Sequence, residues 1–447
     1  FLVSALNEMI AIKNDLKILQ DRNGKRLKEY QVEVVNDELI VTDEEGEFFE
    51  YNPNNKESQR IQETLFHEKQ AIIENCLFGV DINSNSVKIC RLRLWIELLK
   101  NAYYKNATEL ETLPNIDINI KCGNSLVSRF ALDADLKQAL KKSKWTIDSY
   151  RMAVATYRNA ESKEQKKEME RLIADIKSDF RSEISQNDPK VKKLRKLQGE
   201  LFQLTNQGQL FEMSKKEKAD WNKKVQQLTE ETKKLETEIE AIKANKIFEN
   251  AFEWRFEFPE VLNEDGDFVG FDVVIGNPPY IRQEELGEYK NYLQTNYKVF
   301  TSGGDIFSYF YELSHSIIKD RGYFSFINNT FDKTTAGKAL REFVENNFRF
   351  ERYIDFTDVI VFEEATTYPI ILIAQKANQK SNFKFFKYTK ANFYDKELIN
   401  NDSIYTEVAQ DKLNTSAWNF INSFEQNLLS KIQKHKSIVE FFGKCYY

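Results

Sequence analysis

The chain has 447 residues, 64 of them basic and 70 acidic, and its formal net charge is -6. This length predicts about three domains, and the negative balance means that any contact with nucleic acid must use a local basic face. The four cysteines form no CxxC pair and no apolar run is long enough for a bilayer, which argues against a disulfide framework, a zinc site and membrane insertion.

The chain begins with a predicted helix followed by a hairpin. Apolar residues recur at helical spacing over residues 1–10. Residues 27–51 instead alternate between polar and apolar side chains, with the turn-like run Asn36-Asp37-Glu38 between two strand-like runs. This pattern predicts a β-hairpin inserted between elements of the main fold.

Residues 76–82 form an apolar run that ends in Asp81 and Ile82, and the capping-type residues 83–85 follow. We interpret this as a buried strand that leads into a helix. An acidic residue at the end of such a strand commonly accepts hydrogen bonds from the ribose hydroxyls of a nucleoside cofactor. The alternative for Asp81 is a helix-capping role.

A further apolar alternation at residues 116–120 leads into Gly123-Asn124, a pair that is typical of a simple turn. Residues 131–250 then change character, because charge rises and strand-like runs vanish. Trp221, Val225 and Leu228 open a heptad pattern within this segment. We predict a long antiparallel helical insertion, with a coiled-coil arm whose charged faces are solvated or contact DNA or a partner.

The most informative stretch is Gly276-Asn277-Pro278-Pro279-Tyr280-Ile281, which follows the apolar run of residues 271–275. That run predicts a buried strand of a parallel sheet. Neither proline can donate a backbone hydrogen bond, so the motif is expected at the strand's carboxyl end, where open α/β sheets bind ligands.

After this strand, the run Asn277-Pro278-Pro279-Tyr280 resembles the catalytic signature of amino-methyltransferases, mainly the DNA adenine-N6 enzymes. The residue types of this signature suit the activation of a planar amine. The lone pair of adenine's exocyclic amine is delocalised into the ring, which makes it a poor nucleophile. The Asn277 side-chain oxygen and the Pro278 carbonyl are placed to accept its two N–H groups and to localise that lone pair. Tyr280 would stack on the base, which must leave the duplex to enter the site. The alternative is a Pro-Pro turn after a strand.

The run Trp254…Glu257-Phe258-Pro259-Glu260-Val261 resembles the segment that precedes this signature in type IIG restriction-modification enzymes. The resemblance implies S-adenosylmethionine as the cofactor, with Asp81 and Ile82 at its ribose and Asn124 at its adenine.

The resemblance extends to two aromatic residues and to both ends of the chain. Phe310 matches an aromatic lining the cofactor site, and Phe362 matches one that stacks on the flipped base opposite Tyr280. Residues 1–7 match the helix after the family's glycine-rich cofactor loop, and residues 441–447 match the entry to its target-recognition domain. The sequence is therefore expected to be a fragment truncated at both ends.

We predict an α/β, doubly wound Rossmann-like methyltransferase core that carries the helical insertion. The predicted division is 1–130 for the first part of the core, 131–250 for the insertion, 251–380 for the catalytic part and 381–447 for a connector towards a missing target-recognition domain.

The predicted function is methylation of adenine N6 in duplex DNA, within a bacterial or archaeal cytoplasmic restriction-modification or phage-defence system. The resemblance leaves open a nuclease domain elsewhere in the parent chain. Neither a metal nor a membrane is predicted as a partner. Methylation of RNA or of a protein amide, and a non-catalytic scaffold with a coiled-coil arm, remain alternatives.

Overall fold

The fold comes from a computed structural model, which describes residues 1–134, 136–206, 215–362, 367–392, 396–413, 416–418, 420, 428 and 431–432. Its contacts divide the chain into two compact units, Phe1–Phe268 and Val269–Tyr447. Among the helices of the described ranges, none combines the length and the apolar character that crossing a bilayer requires. Residues 441–447, expected to begin a target-recognition domain, lie outside the described ranges.

The first unit begins with three helices, a hairpin and a pair of parallel strands. The helices are α1 (Leu2–Asp15), α2 (Lys56–Asn75) and α3 (Ser84–Leu99), and the strands are β1 (Tyr30–Val35), β2 (Glu38–Asp43), β3 (Gly79–Asp81) and β4 (Ile120–Cys122). Buried aliphatic residues join α1, α2 and α3 to the hairpin in one core, among them Leu6, Ile61 and Leu94. This core supports the carboxyl ends of β3 and β4.

The antiparallel hairpin of β1 and β2 lies within residues 27–51, where the sequence pattern places it. Asn36 and Asp37 form its two-residue turn, and both have positive φ angles, 51° and 68°. Asn and Asp tolerate this left-handed conformation better than most residues, which favours the tight turn.

Five helices follow: α4 (Leu136–Leu140), α5 (Ile147–Arg158), α6 (Lys163–Asn187), α7 (Pro189–Asn206) and α8 (Lys215–Ala244). The buried side chains of α5 and α6 include Tyr150 and Phe180, and they pack with Phe256, which belongs to α9 (Trp254–Glu257). Residues 251–268, assigned from sequence to the catalytic part, therefore pack with the helical insertion. They do so because the segment is rich in aromatic side chains, and these are buried in the core of the helical insertion.

Helices α7 and α8 form an antiparallel pair. Lys190 contacts Glu238 at 3.2 Å near one end of the pair, and the Trp221 indole donates to the Leu204 carbonyl at 3.3 Å near the other. Leu197 and Leu228 are the aliphatic residues that this pair buries among its described side chains. We call this pair, residues 189–244, the arm.

The second unit is built on a six-stranded mixed sheet of order β10-β9-β7-β8-β6-β5. Its strands are β5 (Phe271–Gly276), β6 (Ile318–Asn329), β7 (Phe348–Asp355), β8 (Pro369–Lys376), β9 (Asn382–Lys387) and β10 (Thr406–Ala409), and its helices are α10 (Tyr289–Asn296), α11 (Phe307–Ile317) and α12 (Lys338–Asn347). Strands β5 and β6 are parallel, whereas β8 runs antiparallel to both of its neighbours.

Two features of this sheet differ from the sequence-based expectation. Strand β5 is an edge strand rather than a buried one, and its Val273 and Ile275 side chains are 58% and 40% exposed. Among the described residues only β6 pairs with it, which explains the exposure. Residues 382–409, predicted as a connector, instead add β9 and β10 to the sheet.

Candidate functional site

The first group of candidate residues lies at the carboxyl ends of β3 and β4. The two strands are parallel, with Asp81 opposite Cys122, and the Gly123 N–H donates to the Asp81 carbonyl at 3.0 Å. The fold therefore brings the predicted Asp81, Ile82 and Asn124 together, as expected for the ends of neighbouring parallel strands.

Asp81 has one oxygen engaged locally and a second oxygen open. Its Oδ1 accepts the Asn83 N–H at 2.7 Å, while Asn83 itself caps α3 by accepting the Asn85 N–H at 2.9 Å. The carboxylate is exposed and makes no other hydrogen bond among the described residues. Ile82 beside it is 63% exposed. A free carboxylate oxygen next to an apolar side chain fits a nucleoside with a hydroxylated sugar.

Asn124 has a structural role beside its proposed contact. Its Oδ1 accepts the Leu126 N–H at 3.1 Å, which forms the turn after β4. Its backbone is held by Asn250, whose carbonyl accepts the Asn124 N–H at 2.6 Å. The Asn124 Nδ2 group makes no hydrogen bond within the described ranges, so it remains available as a donor.

A buried ionic cluster lies next to this strand end. Glu257 contacts Lys121 of β4 at 3.2 Å, Lys177 of α6 at 2.5 Å and Arg181 of α6 at 3.4 Å. Burial opposes ionisation of Glu257, but the facing lysines outweigh it and lower its pKa to about 2. Burial lowers the pKa of Lys121 to about 7, so the charge that the cluster holds most firmly is that of Glu257.

The second group lies at the carboxyl end of β5, in the other unit. The strand ends at Gly276, opposite Phe326, and the Asn277-Pro278-Pro279-Tyr280 run leaves the sheet there. A Cβ on Gly276 would lie 3.3 Å from the Phe326 ring, so only the smallest residue fits without displacing that ring. Asn277 is exposed and Pro278 is buried. No hydrogen bond among the described residues engages the Asn277 side-chain amide, so it is free to bind a ligand.

Tyr280 lies beside a buried polar pair that the sequence did not reveal. The Tyr311 hydroxyl donates to Asn328 Oδ1 at 2.6 Å. Burial, with a smaller contribution from the Tyr280 hydroxyl, raises the pKa of Tyr311 well above its usual value. The Tyr280 hydroxyl is itself buried without a hydrogen-bond partner in the described chain, and burial raises its pKa. Asn328, like Asp81, is a polar residue at the end of an apolar strand, and this sequence pattern could have identified it as a candidate.

The segment after the motif is paired with the residues just before α11. The Ile306 N–H donates to the Ile281 carbonyl at 2.9 Å, and the Gln283 N–H donates to the Gly304 carbonyl at 3.0 Å. Arg282 and Asp305 form a β-bridge between these hydrogen bonds. The segment that follows the motif is thus tied to the residues just before α11.

The two predicted aromatic residues belong to this unit. Phe362 is half-buried in the connection between β7 and β8. Because Pro369 at the start of β8 pairs with Asn329 at the end of β6, this connection and Asn277 lie at the same end of the strands. Phe310 is half-buried on α11. The described residues include no cluster of three His, Cys, Asp or Glu side chains arranged to hold a metal.

Comparison with known proteins identifies the family. The model of the Eco57I restriction-modification methylase family matches residues 75–362, which include both groups of candidate residues. The chain belongs to this family. The match confirms the restriction-modification methylase resemblance and the S-adenosylmethionine cofactor predicted from the sequence.

Individual relatives cover different parts of the chain. RM.MjaORFECS2P of Methanocaldococcus jannaschii, described as a type II restriction enzyme and methyltransferase, is 27% identical over 351 residues, which are 72% of this chain and 27% of that protein. The type II restriction enzyme and methyltransferase RM.Eco57I of Escherichia coli is 37% identical over 126 residues, 26% of this chain and 12% of that protein. The chain therefore spans about a quarter or less of the length of these relatives.

The solved structures to which this chain is similar include the type IIG restriction endonuclease BpuSI. It is 18% identical, the match covers 40% of this chain and 26% of BpuSI, and the TM-score is 0.27.

Proposed function

We propose that this methylase transfers a methyl group from S-adenosylmethionine to the N6 amine of a flipped-out adenine in duplex DNA. The observation that supports this most strongly is the exposed Asn277 amide, free of other hydrogen bonds among the described residues, at the carboxyl end of β5 and followed by two prolines. The restriction-modification family adds DNA as the substrate class.

The chemistry assigned to the motif is electrostatic. S-adenosylmethionine supplies an electrophilic methyl group. The Asn277 Oδ1 atom and the Pro278 carbonyl accept the two N–H groups of the target amine, which concentrates its lone pair on nitrogen as positive charge develops. The proline rings restrict the backbone, so the Pro278 carbonyl needs little reorganisation. No strong base is needed before the attack, because the amine loses its extra proton afterwards.

The aromatic side chains have a separate role in this proposal. Tyr280 and Phe362 hold the extruded adenine between their rings, which offsets the cost of removing it from the DNA stack. Stacking of a base on an aromatic ring contributes about 1–3 kcal/mol in proteins that bind single strands. Asp81 and Asn124 orient the cofactor's ribose and adenine.

The test uses the full-length protein that contains this chain, with S-adenosylmethionine labelled on the methyl group and a mixture of duplex DNA sequences. Digestion to nucleosides should recover the label as N6-methyladenine, and Asn277→Ala should reduce the rate by about 100- to 1,000-fold without changing the circular dichroism. Label recovered on cytosine, or only on RNA or a protein amide in parallel reactions, would reject the adenine assignment. Unchanged transfer by Asn277→Ala would reject the motif's role.

A further inference from the structure

The arm has an uneven distribution of charge. Residues 189–244 carry thirteen basic and nine acidic side chains, although the whole chain carries a net charge of -6. Between Lys190 and Lys196 there are five basic residues and no acidic one. More than half of the arm's acidic residues lie in the second half of α8, from Glu230 to Glu240. Within α8, the basic first half and the acidic second half are therefore separated along the helix.

Part of this positive charge is neutralised inside the arm. Lys190 pairs with Glu238 at 3.2 Å and Lys193 pairs with Glu231 at 2.6 Å. These contacts join the start of α7 to the acidic half of α8. They account for two of the five basic residues at the start of α7.

The remaining cations of α7 lie on its outer surface. Lys192, Arg195 and Lys196 are exposed, and Lys192 and Arg195 have no ion pair among the described residues. Residues 192, 195, 199 and 202 are spaced to share one helical face. Position 199 is Gly, with open space where a side chain would begin, and Phe202 is 67% exposed. This face presents its cations to solvent.

The first half of α8 adds a second set of cations. Lys216, Lys218, Lys223 and Lys224 are all exposed, with Asp220 among them. Lys216 and Lys223 are seven residues apart and so lie on the same side of the helix. Ten residues further along the same helix, Lys233 and Lys234 are also exposed but lie between Glu230, Glu231 and Glu236. One helix thus carries two Lys-Lys pairs with different numbers of acidic neighbours, since Lys223 and Lys224 have Asp220 alone within four residues.

We propose that the arm is a second DNA-binding surface, on which Lys192, Arg195, Lys196, Lys216, Lys223 and Lys224 bind phosphates of the duplex independently of its sequence. This inference rests on the proposed function, because duplex DNA is the anionic polymer that the methylase must hold. Exposed lysines and arginines contribute to such binding by releasing counterions from the DNA. The arm would then add affinity for DNA outside the pocket that receives the adenine.

The test compares two matched double variants of the full-length protein. Binding to duplex DNA is measured by fluorescence anisotropy from about 50 to 300 mM salt. In Lys223→Gln/Lys224→Gln, the slope of log K against log salt should become shallower by about 0.9 for each phosphate that is no longer neutralised. Near 0.1 M salt, binding should weaken roughly eightfold for each such phosphate. Lys233→Gln/Lys234→Gln removes the same two charges from the same helix and should match wild type. Lys223→Arg/Lys224→Arg, which keeps the charge, should retain affinity.

The outcomes separate this inference from the proposed function. If wild type methylates DNA and the two glutamine variants bind it equally well, the arm inference is wrong and the methylase function stands. If wild type neither binds nor methylates DNA, both proposals fail. A parallel titration uses vesicles of equal phosphatidylcholine and phosphatidylserine. Loss of vesicle binding in Lys223→Gln/Lys224→Gln with unchanged DNA binding would instead identify the arm as a membrane-contacting surface and overturn the DNA assignment.

Discussion

Replacing Glu257 by Gln should destabilise the first unit, because Lys121, Lys177 and Arg181 then face a neutral amide in place of the carboxylate. The size follows from the carboxyl group itself, whose pKa falls from an ordinary 4.5 to about 2. This difference corresponds to about 3 kcal/mol of folding free energy at neutral pH. Removing one partner of a buried ion pair has a similar cost, about 3–5 kcal/mol. We therefore expect Glu257→Gln to lower the free energy of unfolding by about 3 kcal/mol.

The pH dependence has a defined sign. A carboxylate with a lowered pKa stabilises the folded state fully above pH 4.5, and this contribution disappears as the pH falls from 4.5 through about 2. Wild-type protein should become less stable over that interval. Glu257→Gln should show a smaller decrease there, since its amide does not titrate.

Urea unfolding followed by circular dichroism measures both effects. With an m-value of about 3 kcal/mol/M, the transition of the first unit should move to lower urea by about 1 M. Trp418 is buried in the second unit, and the other four tryptophans lie in the first unit. With 5-fluorotryptophan incorporated, the fluorine-19 resonance of Trp418 therefore reports on the second unit separately. Glu249→Gln, at an exposed position of the first unit, is the control. If Glu257→Gln shifts the transition no more than Glu249→Gln, the cluster does not stabilise this unit.

Three further predictions concern the candidate site. Asp81→Ala should weaken S-adenosylmethionine binding by roughly 10- to 100-fold in calorimetry, because hydrogen bonds to a charged group are worth about 1.5–3 kcal/mol. Asp81→Asn keeps the local acceptor for the Asn83 N–H, so its affinity should fall between those of wild type and Asp81→Ala. Equal affinities for wild type and Asp81→Ala would contradict the ribose role. Phe362→Ala should weaken capture of the flipped base by about 1–3 kcal/mol, measured by the fluorescence of 2-aminopurine at the target position. Phe362→Tyr should bind like wild type. Unaltered 2-aminopurine fluorescence with the alanine variant would argue that Phe362 is a core residue. Tyr311→Phe should lower the stability of the second unit by about 1–2 kcal/mol, because buried Asn328 loses a hydrogen bond; a wild-type Trp418 unfolding curve would show that this bond contributes nothing.

The elements that the sequence predicted are those fixed by local chemistry. The hairpin turn depends on Asn36 and Asp37, whose tolerance of positive φ is an intrinsic property. The strand before Asn277 is signalled by its apolar run and the prolines after it. Both signals lie within a few residues of the structure that they specify.

The features that the sequence did not predict depend on distant parts of the chain. Lys121 and Glu257 are 136 residues apart, so no local pattern reveals that they form a pair. The Tyr311–Asn328 hydrogen bond depends on the packing of α11 against β6. The exposure of β5 also escaped prediction, because an apolar run indicates a strand but not how many strands flank it.

The edge position of β5 has a consequence for the loop that carries Asn277 and for solubility. Among the described residues, β5 has a strand neighbour in β6 on one side and none on the other, where the Val273 and Ile275 side chains are exposed. Such an edge is a template for any extended peptide and a nucleus for aggregation. Expressed alone, residues 269–447 should self-associate through this edge, and a charged substitution such as Val273→Lys should keep them monomeric. Covering the same edge with a strand would hold both sides of β5 and so reduce the motion of the loop that carries Asn277.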